Sequence, residues 1–128
     1  MPVRSLNSSV MRWPDRQQVH DAISKWIEQL AQTNPALVAA GYFGSYARND
    51  AGVGSDLDVV IILKDSDLPF ECRYNTWDFN AIPVPVEAQI YILEEWNNLH
   101  KQQPRYYRTL VEETCWLYGD NFSPSSIP

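Results

Sequence analysis

Along the chain the apolar positions change spacing several times, and each change marks a different element. From Pro14 to Gln32 they fall at Val19, Ile23, Trp26, Ile27 and Leu30, the three-and-four step of an amphipathic helix, with Pro14 and Asp15 suited to its first turn. Asn34-Pro35 breaks that period, and Ala36 to Phe43 reads as a short apolar strand ending at Gly44-Ser45. Residues 46 to 54 suggest one helical turn and a flexible loop containing Gly52 and Gly54. Leu57 to Leu63 is almost entirely β-branched or aliphatic, which suits a central strand covered on both faces. After a polar connection, the weaker periodicity of Phe70 to Phe79 predicts a helix. Val84 to Ile92 alternates strictly: Val84, Val86, Ala88, Ile90 and Ile92 form a core face, and Pro85, Glu87, Gln89 and Tyr91 a polar one. Leu93 to Gln102 and Arg105 to Thr114 read as two helices split by Pro104, and Trp116 to Tyr118 as an edge strand.

This succession predicts one α/β domain (α+β in some schemes), a small mixed β-sheet flanked by α-helices, over residues 14–119. A flexible N-terminal arm at 1–13 and a disordered Ser/Pro-rich tail at 120–128 are expected around it. A chain of 128 residues is long enough for one core and too short for a second substantial domain.

Charge narrows the function. A net charge of −6 and a pI near 4.7 oppose stable binding of nucleic acid through phosphate neutralisation, which needs clustered Lys and Arg. A nucleotide carried on a divalent cation stays open, because the metal supplies the missing positive charge. Cys72 and Cys115 have no zinc or redox spacing, and reduced thiols in a cytoplasmic protein are expected. No segment is apolar and long enough for a signal peptide or a membrane span.

The chemistry gathers in GSYARNDAGVGSDLDVVIIL, residues 44 to 63. Asp56 and Asp58 are two residues apart at the head of a strand, so they leave the same face with backbones about 7 Å apart. Two such carboxylates repel, and one holds a proton unless a cation joins them. Mg²⁺ resolves the repulsion, since it takes a few carboxylates, some water and phosphate oxygens. Glu87, on the polar face of the later strand, is the candidate third ligand, and three carboxylates could hold two metals for an in-line displacement at phosphorus. Gly44 lets a phosphate approach the backbone, where the following amides and the Ser45 hydroxyl can hold it. Arg48 could add a phosphate contact or equally pair with a nearby carboxylate. The bland alternatives are a solvated strand entry in which Ser55 and Asp56 make a turn, and a surface glutamate at 87. His20 and His100 read as surface or packing residues. Trp77, Phe79, Tyr106 and Tyr107 could serve a partner surface as well as a core.

Gly44, Ser45, Ala47, Arg48, Ser55, Asp56 and Asp58, with the later VPVEAQIYILEEW, resemble the minimal nucleotidyltransferase family of the DNA polymerase β-like superfamily over roughly residues 15 to 118. Three positions depart from it: Tyr46 stands where Arg is frequent, Asn49 where Gly is frequent, and Glu87 where Asp is commoner. Asn suits position 49 if a positive φ is required there. The resemblance implies Mg²⁺-dependent transfer of a nucleoside monophosphate, AMP from ATP being the expectation, to a hydroxyl, with pyrophosphate leaving. Asp56, Asp58 and Glu87 would be catalytic and metal-binding, and Gly44, Ser45, Arg48 and Ser55 nucleotide-binding. It also implies a helical HEPN partner in a toxin–antitoxin pair, with this chain as antitoxin and the partner as acceptor. The alternatives are an antitoxin that acts by occlusion with weak or lost catalysis, and a small-molecule nucleotidyltransferase of the aminoglycoside type. A homo-oligomer is left open.

Overall fold

The computed structural model describes residues 13–74 and 77–119. The expected tail, and all of the expected arm but Trp13, lie outside them. In chain order the elements are α1 (Arg16–Thr33), β1 (Leu37–Phe43), α2 (Ser45–Arg48), β2 (Leu57–Leu63), α3 (Phe70–Arg73), β3 (Val86–Ile92), α4 (Leu93–Gln102), α5 (Pro104–Glu113) and β4 (Cys115–Tyr118).

The first helix starts where its capping residues place it. Asp15 Oδ1 accepts the Gln18 amide at 2.8 Å and Gln18 Oε1 accepts the Asp15 amide at 2.9 Å, so two amides of the first turn are satisfied reciprocally. Val19, Ile23 and Ile27 form its buried stripe. The four strands make one sheet in the order β3-β2-β1-β4. The sheet is mixed, since β1 runs antiparallel to both β2 and β4 while β2 and β3 are parallel.

Period-two alternation along β2 divides the core. Leu57, Val59, Ile61 and Leu63 face α1, and Val60 and Ile62 face the α4–α5 pair, where Trp96, Leu99, Leu110 and Val111 are buried. All five residues from Val59 to Leu63 are buried, as a central strand covered on both sides requires. Each such aliphatic side chain contributes about 1.5–3 kcal/mol relative to exposure.

Two expectations are corrected. The helix predicted over Phe70–Phe79 is a single turn, Phe70–Arg73, followed from Trp77 by bends, turns and irregular chain up to Pro85. Pro83 and Pro85 keep that segment from being helical, and residues 75–76 lie outside the description. The polar face predicted for the later strand holds at Glu87, which is exposed, but fails at Tyr91, which is buried against Trp96 beneath α4. Strand alternation specifies the face of a side chain, not whether a helix lies over it.

Parallel pairing of β2 and β3 demands a crossover, and a buried cation secures it. Arg73 is 4 % exposed; it donates to Leu68 O at 2.9 Å and Ile90 O at 2.8 Å, and pairs with Glu95 at 2.5 Å. Tyr74 Oη donates to Val86 O at 2.9 Å. The two side chains thus cover carbonyls along the outer edge of β3.

Candidate active site

The strands bring three of the sequence-predicted residues to one end of the sheet. There β1 leaves and β2 and β3 begin. Asp58 is the Cα partner of Phe43 on one side and of Glu87 on the other, so Asp58 and Glu87 lie side by side across the parallel pair. Asp56 is exposed just before β2, on the same side as Asp58. The face they share is the α4–α5 face, beyond the part covered by those helices. A cleft of about 530 Å³ opens here, with Phe43, Asp58, Tyr74, Glu87 and Gln89 in its lining.

The electrostatics are unfavourable as they stand. Burial first, then the charges of Glu87 and Asp56, raise the pKa of Asp58 above the ordinary aspartate value, and Arg48 offsets only part of this. Among the described residues, the side chains of Asp56, Asp58 and Glu87 have no hydrogen-bonding or ion-pairing partner. No group of three His, Cys, Asp or Glu side chains among these residues is gathered tightly enough to hold a metal ion as it stands. The donor chemistry nevertheless fits Mg²⁺. It is oxygen only, on one face, with repelling charges that a divalent cation would relieve.

Gly44 is required where it stands. At φ 76° and ψ −150° it occupies backbone space that side chains rarely enter, and a Cβ on it would collide with Asp58 Oδ2. The corner therefore sits directly against the half-buried aspartate. The Ser45–Arg48 turn that follows presents first-turn amides with no acceptor inside the helix. It ends at Asn49 with φ 63° and ψ 34°, the left-handed conformation anticipated for Asn at this position.

The other candidates are engaged in structural contacts. Arg48 Nε lies 3.3 Å from Asp50 Oδ2 and Nη1 lies 3.2 Å from Glu113 Oε1, which favours the carboxylate-pairing alternative. Ser55 Oγ accepts the Gly52 amide at 2.9 Å and the Ser55 amide bonds back to Gly52 O at 3.0 Å, so this serine closes the turn ahead of Asp56. Tyr46 points away from the carboxylates into the core: its hydroxyl accepts from Trp13 Nε1 at 3.2 Å, and its carbonyl accepts from Arg16 Nε at 2.9 Å. His20 is a packing residue, with Nδ1 2.8 Å from the hydroxyl of Tyr42, and His100 stacks on Tyr107. Burial, then contact with Cys115, pushes the Tyr42 phenol up to about 12.

Sequence reasoning missed Glu113. Its Oε1 accepts the Gly44 amide at 2.9 Å as well as the Arg48 guanidinium. The partners are 69 and 65 residues apart, and no local spacing signals such a contact.

A nucleotidyltransferase domain model matches residues 21–117, most of the chain, and this protein belongs to that family. Solved structures share the fold. A candidate nucleotidyltransferase from Sulfolobus solfataricus is 21% identical with a TM-score of 0.52, covering 65% of this chain and 75% of its own. A toxin–antitoxin complex with AMP-PNP is 20% identical with a TM-score of 0.54, covering 80% and 81%. A mutant of the MntA–HpeT toxin–antitoxin pair is 18% identical with a TM-score of 0.52, covering 80% of each chain. Comparison with proteins of curated function finds no match. No helix among the described residues is long and apolar enough to cross a membrane.

Proposed function

We propose that this nucleotidyltransferase moves AMP from ATP onto a hydroxyl of a partner protein, and that it serves as the antitoxin of a toxin–antitoxin pair with a helical HEPN-type toxin. The carrying observation is the side-by-side placement of Asp58 and Glu87, with Asp56 on the same face and the Gly44 corner against Asp58. The structural likeness to toxin–antitoxin complexes, one of them with AMP-PNP, supports the choice of nucleotide and partner.

In this reading Asp56, Asp58 and Glu87 would hold Mg²⁺, which would supply the positive charge that a triphosphate and a forming alkoxide or phenoxide need. Gly44 and Ser45 receive phosphate oxygens at the exposed amides of the corner. Glu87 accepts the acceptor hydroxyl's proton as its oxygen bonds to the α-phosphorus, and the bond from that phosphorus to the bridging oxygen breaks to release pyrophosphate. Ser55 acts by holding the Gly52–Ser55 turn.

The test is incubation with α-labelled ATP, Mg²⁺ and the co-purified partner, comparing wild type with Asp56→Asn and Asp58→Asn. Label on the partner with wild type alone is the expected result. Equal neutralisation of the toxin by all three proteins without label would establish the second reading, an antitoxin acting by occlusion. One observation favours that alternative: as they stand, no three acidic side chains among the described residues enclose a metal site.

A further inference from the structure

We propose that Glu113 is a positioning residue that holds the Gly44–Ser45 corner in the conformation that receives the triphosphate. The inference rests on the reading above and adds a part to it that lies at the far end of the chain.

The argument begins with the ladder between β1 and β4. Gly41 pairs with Trp116 and Tyr42 with Cys115. Two further steps in the same antiparallel register set Gly44 opposite Glu113. By then the ladder has ended, because Glu113 is the last residue of α5 and its backbone belongs to that helix. Its side chain takes over: Oε1 accepts the Gly44 amide at 2.9 Å, where a ladder bond would otherwise fall. The same oxygen accepts from Arg48 Nη1 at 3.2 Å. One carboxylate therefore grips the residue before the Ser45–Arg48 turn and the residue that ends it.

The turn needs such a grip. A single helical turn gains too few backbone bonds to offset its nucleation, and Gly44 starts it from a sparsely populated conformation. The Glu113 side chain is 24% exposed, close enough to the corner for both bonds and too covered for a plain solvated glutamate. Anchoring the corner is the function that its contacts describe.

The experiment uses the full chain, with Glu113→Ala, Glu113→Asp and Glu113→Gln beside wild type. Two quantities are read: amide exchange by residue, and affinity for a non-transferable ATP analogue in Mg²⁺ buffer. Alanine removes the acceptor, and aspartate withdraws it by one methylene while keeping the charge. Both are expected to speed exchange across residues 44–48 and to weaken analogue binding about tenfold, the scale of one lost hydrogen bond to a charged group. Exchange in Leu57–Leu63 stays as in wild type. Glutamine keeps an acceptor for the Gly44 amide and is expected to restore both readouts to within about threefold of wild type, since that bond carries most of the effect.

Unchanged exchange at 44–48 in Glu113→Ala and Glu113→Asp would overturn the proposal. So would analogue binding as tight as wild type, or tighter; the latter would mean that the carboxylate competes with phosphate for the amide. If wild type itself binds no analogue, the functional reading fails and the phosphate role of Glu113 falls with it, while the exchange data still decide whether it anchors the corner. If wild type binds and Glu113→Ala binds equally well, only the present inference fails.

Discussion

Substituting Gly44→Ala tests the link between backbone and chemistry more directly than removing a carboxylate. Two costs meet at this position. The pair φ 76°, ψ −150° lies in a region used almost only by glycine, and holding an L-residue there costs about 1–3 kcal/mol. The new methyl group also collides with Asp58 Oδ2. The molecule has two escapes: the corner moves off the carboxylate, or Asp58 swings out of the cleft. Either leaves the turn proposed to bind phosphate and the acidic pair out of register, and a displacement near 1 Å is enough to lower transfer about a hundredfold. For a domain of this size about 1 kcal/mol shifts Tm by roughly 4–5 °C, so a fall of about 5–15 °C is expected. Thermal unfolding in chelator-containing buffer measures the first cost, and single-turnover transfer to the partner the second. Gly52→Ala is the control, since no atom lies within 4 Å of its added Cβ and its φ is ordinary. A Gly44→Ala protein with Tm within about 2 °C of wild type and transfer within about threefold would refute the argument, because a 1 kcal/mol cost alone exceeds that shift.

Other perturbations have equally definite outcomes. Asp58→Asn is expected to abolish transfer yet raise Tm at neutral pH without metal. Folding raises this pKa, so the group's stabilising contribution is present below the ordinary value of 3.8 and lost as pH rises through the raised one; the gain should vanish in acid, and no gain at pH 7 would contradict the assignment. Arg73→Met should cost about 1.5–3 kcal/mol in denaturant unfolding, the scale of hydrogen bonds to a charged group, because it leaves Glu95 without its cation and the Leu68 and Ile90 carbonyls without their donor. The double variant Arg73→Met with Glu95→Leu should recover part of the loss, and a double variant worse than the single would sink that account. Burial pushes the Glu95 carboxyl up, but the Arg73 hydrogen bond, the Ile92 amide and the Arg73 charge outweigh it and hold the pKa below 4.5. Its contribution is therefore present above 4.5 and lost as pH falls through the lowered value, so Glu95→Gln should flatten the acid limb of a Tm against pH curve.

Much of this architecture was legible from local periodicity. The bounds of β2 and α4 coincide with the apolar runs that predicted them, and the two helices near the end divide at Pro104 as expected. Asp58 stands out through its two-residue spacing from Asp56 at the head of an apolar strand and Glu87 through the alternation of the later strand, and the register makes them neighbours. What escaped was long-range. The crossover held by Arg73 and Glu95 joins residues 22 apart, so the helix predicted over Phe70–Phe79 ran too long. The burial of Tyr91 depends on α4 and α5 folding back over the sheet, which no two-residue alternation encodes. Glu113 is further still from the corner that it touches, and a glutamate ending a helix looks the same in sequence whether it meets solvent or an amide.

Asp58 stands between Leu57 and Val59, both fully buried, within a strand whose apolar residues serve two cores. A single inserted residue inside β2 would turn its downstream aliphatics toward the wrong layer and separate the acidic position from its neighbour in β3. The loop from Asp50 to Ser55 carries no such bookkeeping. Length variation among relatives should therefore collect ahead of Asp56 and stop abruptly at Leu57, with the candidate carboxylates carried along by the reading frame of the strand.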